Sequence, residues 1–154
     1  MVVKDAIKRL PRNKATGLDA IPAELIKSGG DAMVKFMTVL CNEIVGTGKW
    51  PTEWSRSVFV PLPKVTGTKR CEEHRTISLI SHSSKILLRI LFNRMQNDAS
   101  REIDEVQMGF RKGVGTRDQI FNIRVLAEKS REFNQQIFVA FIDYSKAFDS
   151  VNHN

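Results

Sequence analysis

The chain has 154 residues, 42% of them hydrophobic, and a formal net charge of +7, which is the size and apolar content of one ordinary domain and argues against disorder. The positive balance favours a polyanionic partner such as nucleic acid, while the two cysteines, Cys41 and Cys71, have no CxxC or His-paired spacing; a disulfide scaffold and a zinc cluster are excluded. No stretch has the length of a membrane span and no signal-peptide pattern opens the chain, so the expected setting is intracellular, nuclear or cytoplasmic, without membrane and without secretion.

Val3, Ala6, Ile7 and Leu10 recur at helical spacing up to Pro11 and predict a first helix. Nothing before Val3 resembles a cap, so the sequence reads as opening inside a helix, and both of its ends look cut. The polar stretch N-K-A-T-G-L-D-A-I-P follows, then a short helix with Pro22 near its first turn and a stop at Ser28-Gly29-Gly30. Asp31 offers the N-cap of the next helix. Met33, Phe36, Met37, Leu40, Cys41 and Ile44 make one apolar stripe along it, read as a core face ending at Gly46.

Residues 57–62, S-V-F-V-P-L, and 75–80, R-T-I-S-L-I, read as two strands joined by a loop rich in glycine and charge. Pro61 has no N–H to give and belongs at an edge or bulge. From Ser84 to Gln96 a helix is expected to turn Ile86, Leu87, Leu88, Ile90, Leu91 and Phe92 inward. Its other side carries Lys85, Arg89, Asn93 and Gln96, a polar stripe that reads as a solvated face more readily than as a binding surface. After the glycine-bearing segment Q-M-G-F-R-K-G-V-G-T, Thr116 and Gln119 have capping-box spacing for a further helix, whose inner side is Ile120, Ile123, Leu126 and Ala127. Ile137-Phe138-Val139-Ala140-Phe141-Ile142 closes the series as a core strand delivering Asp143. The fold class is α+β, without internal repeat.

Asp143 is the sharpest candidate for chemistry. Carboxylate oxygens suit Mg²⁺, and a two-metal phosphoryl-transfer site, with ions about 3.5–4 Å apart, needs at least one more inward-facing acid. Asp149 reads better as a cap or loop anchor, and Asp143 alone equally suits a solvated strand end. Lys64 and Arg75 flank the hairpin loop on facing strands, where they can clamp a triphosphate or a phosphodiester, although Glu72 and Glu73 offset the basic cluster of Arg56, Lys64, Lys69, Arg70 and Arg75. A charged loop tip that keeps a sheet edge soluble is the competing reading. Neither K-A-T-G-L-D nor G-F-R-K-G-V-G-T matches a P-loop or a dinucleotide fingerprint. In the second, backbone N–H groups beside Arg111, Lys112 and Arg117 suit either nucleic-acid backbone or an ordinary tight connection.

Five blocks in order, K-A-T-G-L-D-A-I-P-A-E-L-I-K, W-S-R-S-V-F-V-P-L-P-K, H-R-T-I-S-L-I-S, Q-M-G-F-R-K-G-V-G-T-R-D and F-I-D-Y-S-K-A-F-D-S-V-N-H, resemble those of a non-LTR (LINE-type) retrotransposon reverse transcriptase. The resemblance covers almost the whole chain. It implies a right-hand polymerase, with about 1–135 as fingers and approach to the palm and about 136–154 as the first palm strand and metal-binding motif. Asp143 would bind the catalytic Mg²⁺ ions with help from the Tyr144 carbonyl, and Phe148 would exclude a ribose 2′-hydroxyl. Lys64 and Arg75 would hold the incoming dNTP, and Gln107, Gly109, Phe110 and Arg111 would lie near the template. The implied partners are an RNA template, a DNA primer and dNTPs. His74 and Thr76 depart from the Tyr and Pro usual around the fingers arginine, which bears on the placement of Arg75. The resemblance also puts the later palm acids and the thumb beyond residue 154, so this chain alone is expected to be inactive. A non-catalytic RNA-binding remnant and a group II intron or retron type of reverse transcriptase are the alternatives.

Overall fold

In the computed structural model, which describes residues 2–111, 113–144, 147, 151 and 152, the chain divides into two units, Met1–Glu102 and Ile103–Asn154. The first contains α1 (Val2–Lys8), α2 (Ala23–Ser28), α3 (Gly30–Thr47), β1 (Val58–Pro63), β2 (His74–Leu79) and α4 (His82–Glu102). All four helices contribute to a single core: Ala6 and Ile7 of α1, with Leu10 just beyond it; Ala23 and Ile26; Met37, Cys41 and Ile44; Ile86, Leu87 and Ile90. Burial pushes the Cys41 thiol pKa up, as suits a thiol that packs as a small hydrophobe.

Several boundaries differ from the sequence reading. Gly29, not Asp31, holds the N-cap position of α3; Asp31 lies in the first turn, where its carboxylate meets Lys4 Nζ of α1 at 2.9 Å. The Lys4 ammonium holds that carboxyl below the usual carboxylate range. The helix passes through Gly46 and stops at Gly48, whose φ of 67° supplies the left-handed C-cap. Phe36, expected in the core stripe, is exposed, because the buried face of α3 is the narrower line of Met37, Cys41 and Ile44.

The loop between α1 and α2 is clasped at both ends. The Asn13 N–H donates to Glu24 Oε1 at 2.7 Å, which holds the Glu24 carboxyl below its ordinary range. Further along, Ser81 Oγ donates to Asp19 Oδ2 at 2.6 Å and accepts the Ser83 N–H at 3.1 Å, so one hydroxyl both anchors the loop and caps α4. The helix therefore starts at His82 rather than Ser84. Gly17 lies so close beneath that a Cβ there would stand 2.5 Å from Ser81 N and 2.7 Å from the Ile80 carbonyl carbon. His82 is wholly buried, and among the described residues neither of its ring nitrogens meets a hydrogen-bond partner. Leu88 and Phe92, expected inward, are on the open side of α4.

β1 and β2 pair antiparallel, Val58 opposite Leu79 through Pro63 opposite His74. Lys64 N donates to Glu73 O at 2.7 Å, which fixes the alternation: even-numbered residues of β1 are the hydrogen-bonded ones, and odd-numbered residues turn their backbone groups outward. Pro61 and Pro63 both fall on odd positions. The ladder therefore loses no bond to either proline.

In the second unit, α5 (Thr116–Glu132) begins at Gly115, whose N–H donates to Asp118 Oδ2 at 2.7 Å. Gln119, expected in a capping box with Thr116, donates instead to Val106 O at 2.7 Å. Ile120, Ile123 and Leu126 are exposed, and no residue of α5 is buried among the described residues. The segment 136–144 forms no strand, and Phe138, Phe141 and Ile142 stand in solvent. A strand needs a neighbour for its backbone groups, and the described residues of this unit supply no other strand.

Candidate functional site

Residues directly opposite in an antiparallel pair share a face, and sides alternate along each strand. Arg75 opposes Leu62, and Lys64 is two residues beyond Leu62, so Lys64 and Arg75 are diagonal neighbours on one face of the hairpin. Lys64 Nζ donates to the Glu72 carbonyl at 3.2 Å, which directs its stem along the loop. The loop acids are engaged by another cation: the Arg70 guanidinium bonds Glu72 and reaches Glu73 Oε1 at 3.6 Å. Among the described residues no carboxylate pairs with Lys64, Lys69 or Arg75. The offset expected from Glu72 and Glu73 thus falls on Arg70 rather than on Lys64 or Arg75.

Gln107, Gly109, Phe110 and Arg111 lie in one turn of the second unit. The Arg111 guanidinium donates to the carbonyls of Asp104 and Glu105, both at 3.1 Å, and of Gln107 at 3.3 Å. Gln107 Nε2 adds a 3.4 Å bond to Gly109 O. Arg111 is thereby the brace of its own turn. Phe110, with φ of 61°, projects fully into solvent from it.

Asp143 and Tyr144 follow the apolar run 137–142 and are exposed. Phe148 and Asp149 lie outside the described residues, as does Lys112. No group of three or more His, Cys, Asp or Glu able to hold a metal ion occurs among the described residues. Asp143 stands as a single carboxylate, so the described donors do not by themselves fit a two-ion magnesium site.

A family model for reverse transcriptase (RNA-dependent DNA polymerase) matches residues 62–154, well over half the chain. The chain belongs to the reverse transcriptase family. It is 29% identical over 154 residues to the RNA-directed DNA polymerase from mobile element jockey of Drosophila melanogaster, covering 98% of this chain and 17% of that protein. Similarity to the probable RNA-directed DNA polymerase from transposon BS of the same species is 28% over 156 residues, 99% of this chain and 17% of the relative. With the retrovirus-related Pol polyprotein from type-2 retrotransposable element R2DM, also of Drosophila melanogaster, identity is 29% over 147 residues, 94% of this chain and 13% of the relative. The resemblance to a non-LTR retrotransposon reverse transcriptase, carried by the five ordered blocks, holds. This reverse transcriptase chain spans less than a fifth of the length of those curated relatives. Reverse transcriptases generally use divalent metal ions. No helix among the described residues is long and apolar enough to cross a membrane.

One group of residues escapes the sequence reading as a group. Arg9, Lys14, Lys85 and Arg89 line a single cleft of about 700 Å³ in the first unit. Lys85 and Arg89 read as a polar stripe from spacing; the signal that joins them to Arg9 and Lys14 is the docking of the K-A-T-G loop beside α4, which spacing alone does not carry.

Proposed function

We propose that this chain is the front part of the polymerase domain of an intracellular retrotransposon reverse transcriptase, with about 1–135 as fingers and approach to the palm and about 136–154 as the palm segment that carries the metal-binding motif. The whole protein would extend a DNA 3′-hydroxyl on an RNA template with dNTPs. What supports the reading most directly is the placement of Lys64 and Arg75 on one hairpin face without carboxylate partners among the described residues. Two such cations suit a triphosphate, since charge-assisted bonds to phosphate oxygens are among the strong ones. Asp143 supplies one carboxylate and Tyr144 one carbonyl toward magnesium, Phe148 gates the sugar, and Gln107, Gly109, Phe110 and Arg111 present a braced turn toward the template.

The isolated chain is a poor catalyst on this reading, because one carboxylate neither holds two ions nor fixes an in-line geometry. Incubated with a primed RNA template, dNTPs and Mg²⁺, it is expected to give no extension product above background. Extension that Asp143→Ala abolishes would overturn this.

A second reading, a non-catalytic RNA-binding module, rests on the same two cations and the net charge of +7. Phosphate-dominated binding weakens with salt, by about 0.7 in logarithmic slope for each single-strand phosphate neutralised. In gel shifts on single-stranded RNA, Lys64→Ala with Arg75→Ala should therefore lower the slope by roughly 1.4. An unchanged slope removes the hairpin from the nucleic-acid interface under either reading.

A further inference from the structure

The cleft between α1, β2 and α4 has a floor of large apolar side chains and a rim of cations. Leu10, Ile77, Leu79, Leu88 and Phe92 form the floor, and Arg9, Lys14, Lys85 and Arg89 surround it. Among the described residues no carboxylate lines it. None of the four cations has a side-chain hydrogen bond or ion pair among the described residues.

Two features of α4 set this surface apart from an ordinary solvated face. Lys85 and Arg89 are four residues apart on one helix, a like-charge pair that is unfavourable to the helix in the absence of an anion. Interleaved with them at the same spacing, Leu88 is 43% and Phe92 54% exposed, although the helix already buries Ile86, Leu87 and Ile90 on its core side. Ile77 of β2, 45% exposed, extends the apolar strip across to the sheet.

We propose that this cleft docks an amphipathic helix of another polypeptide, one whose apolar stripe is flanked by aspartate and glutamate. Charge complementarity fixes the sign of the flanks, and the floor fixes the class of occupant. Single-stranded nucleic acid is held by successive aromatic stacking platforms, but this floor is aliphatic apart from Phe92, and its one side-chain hydroxyl is Ser78. Helix-in-groove recognition uses an apolar floor of this kind, filled by side chains at i, i+3, i+4 and i+7. A second copy of this chain is a poor occupant: its open helix, α5, carries Arg117, Arg124, Lys129 and Arg131 against Asp118, Glu128 and Glu132. Docking in the cleft does not depend on polymerase chemistry and uses none of the residues assigned to it.

The test uses the whole chain and a fluorescent synthetic helix of about 18 residues, five turns, with Leu at i, i+3, i+4 and i+7 and Glu on both flanks. Fluorescence anisotropy is expected to show saturable binding at least about tenfold tighter than for a scrambled peptide of the same composition. Lys85→Glu with Arg89→Glu should weaken binding by about tenfold or more, and Leu88→Asp should weaken it comparably by placing a carboxylate in the apolar floor. All three positions lie off the core side of α4, and circular dichroism melts verify that the variants stay folded. Equal affinity for the scrambled peptide, or binding indifferent to both variants, overturns the proposal. So does a labelled single-stranded RNA that binds in the same assay, is lost in the charge-reversal variant and is not displaced by the helical peptide.

Discussion

Gly17→Ala is expected to destabilise the chain by about 1–3 kcal/mol, the usual cost of forcing an extra methyl into a filled space. The added Cβ would meet Ser81 N at 2.5 Å, the Ile80 carbonyl carbon at 2.7 Å and Ser81 Cα at 3.0 Å. All three are backbone atoms, so no side chain can swing aside. Relief requires the loop to lift off the junction of β2 and α4, which breaks the Ser81–Asp19 hydrogen bond and disturbs the cap of α4. At roughly 4–8 °C for each kcal/mol in a unit near 100 residues, the shift is easily read in a thermal melt. Gly46→Ala is the internal control: it lies within α3 with nothing inside 4 Å of where the new methyl would stand, so alanine there should raise the midpoint through helix propensity, by about 0.5–1 kcal/mol. Equal and small effects at both sites would refute the close approach of Gly17 to the α4 start.

Ile86→Ala carries the other large effect. Ile86 is fully buried in the cluster to which α1, α2, α3 and α4 all contribute, so truncation removes contacts to several elements at once and leaves a cavity. The expected loss is about 2–5 kcal/mol in chemical denaturation, a large fraction of the roughly 5–15 kcal/mol typical of a folded domain. Phe92→Ala, six residues on and half-exposed, should change stability by no more than about 0.5 kcal/mol. A larger cost for Phe92 than for Ile86 would mean that the core side of α4 has been assigned to the wrong face.

Much of the first unit is legible in the residues. The hairpin is placed to within one residue because two β-branched runs are separated by a loop of glycine and charge, and the outward setting of Pro61 follows from its missing N–H. Helix ends are harder. Ser81, Ser83 and Ser84 are chemically equivalent as cap candidates, and what selects Ser81 is Asp19, far away in sequence. Gly46 and Gly48 are likewise indistinguishable by type; of the two, the positive φ belongs to Gly48 alone.

Periodicity identifies an apolar face but says nothing of what covers it. That is why Ile120, Ile123 and Leu126 read as buried and stand open, and why the segment 137–142, expected as a strand, forms none. In the candidate site, strand alternation makes the shared face of Lys64 and Arg75 deducible once the register is known. The brace formed by Arg111 is not deducible, because it depends on carbonyls turned inward by the loop rather than on residue types.

The two prolines of β1 leave the hairpin with dissimilar margins. Along the outer rim of β1, Phe59 is the single residue of the three outward positions that retains a hydrogen to donate, since Pro61 and Pro63 occupy the others. On β2 the His74 N–H is already given to Cys71 O, while Thr76 and Ser78 keep theirs. Recruitment of a foreign strand is thus blocked on one side and open on the other, so any aggregation seeded by this sheet would grow from β2.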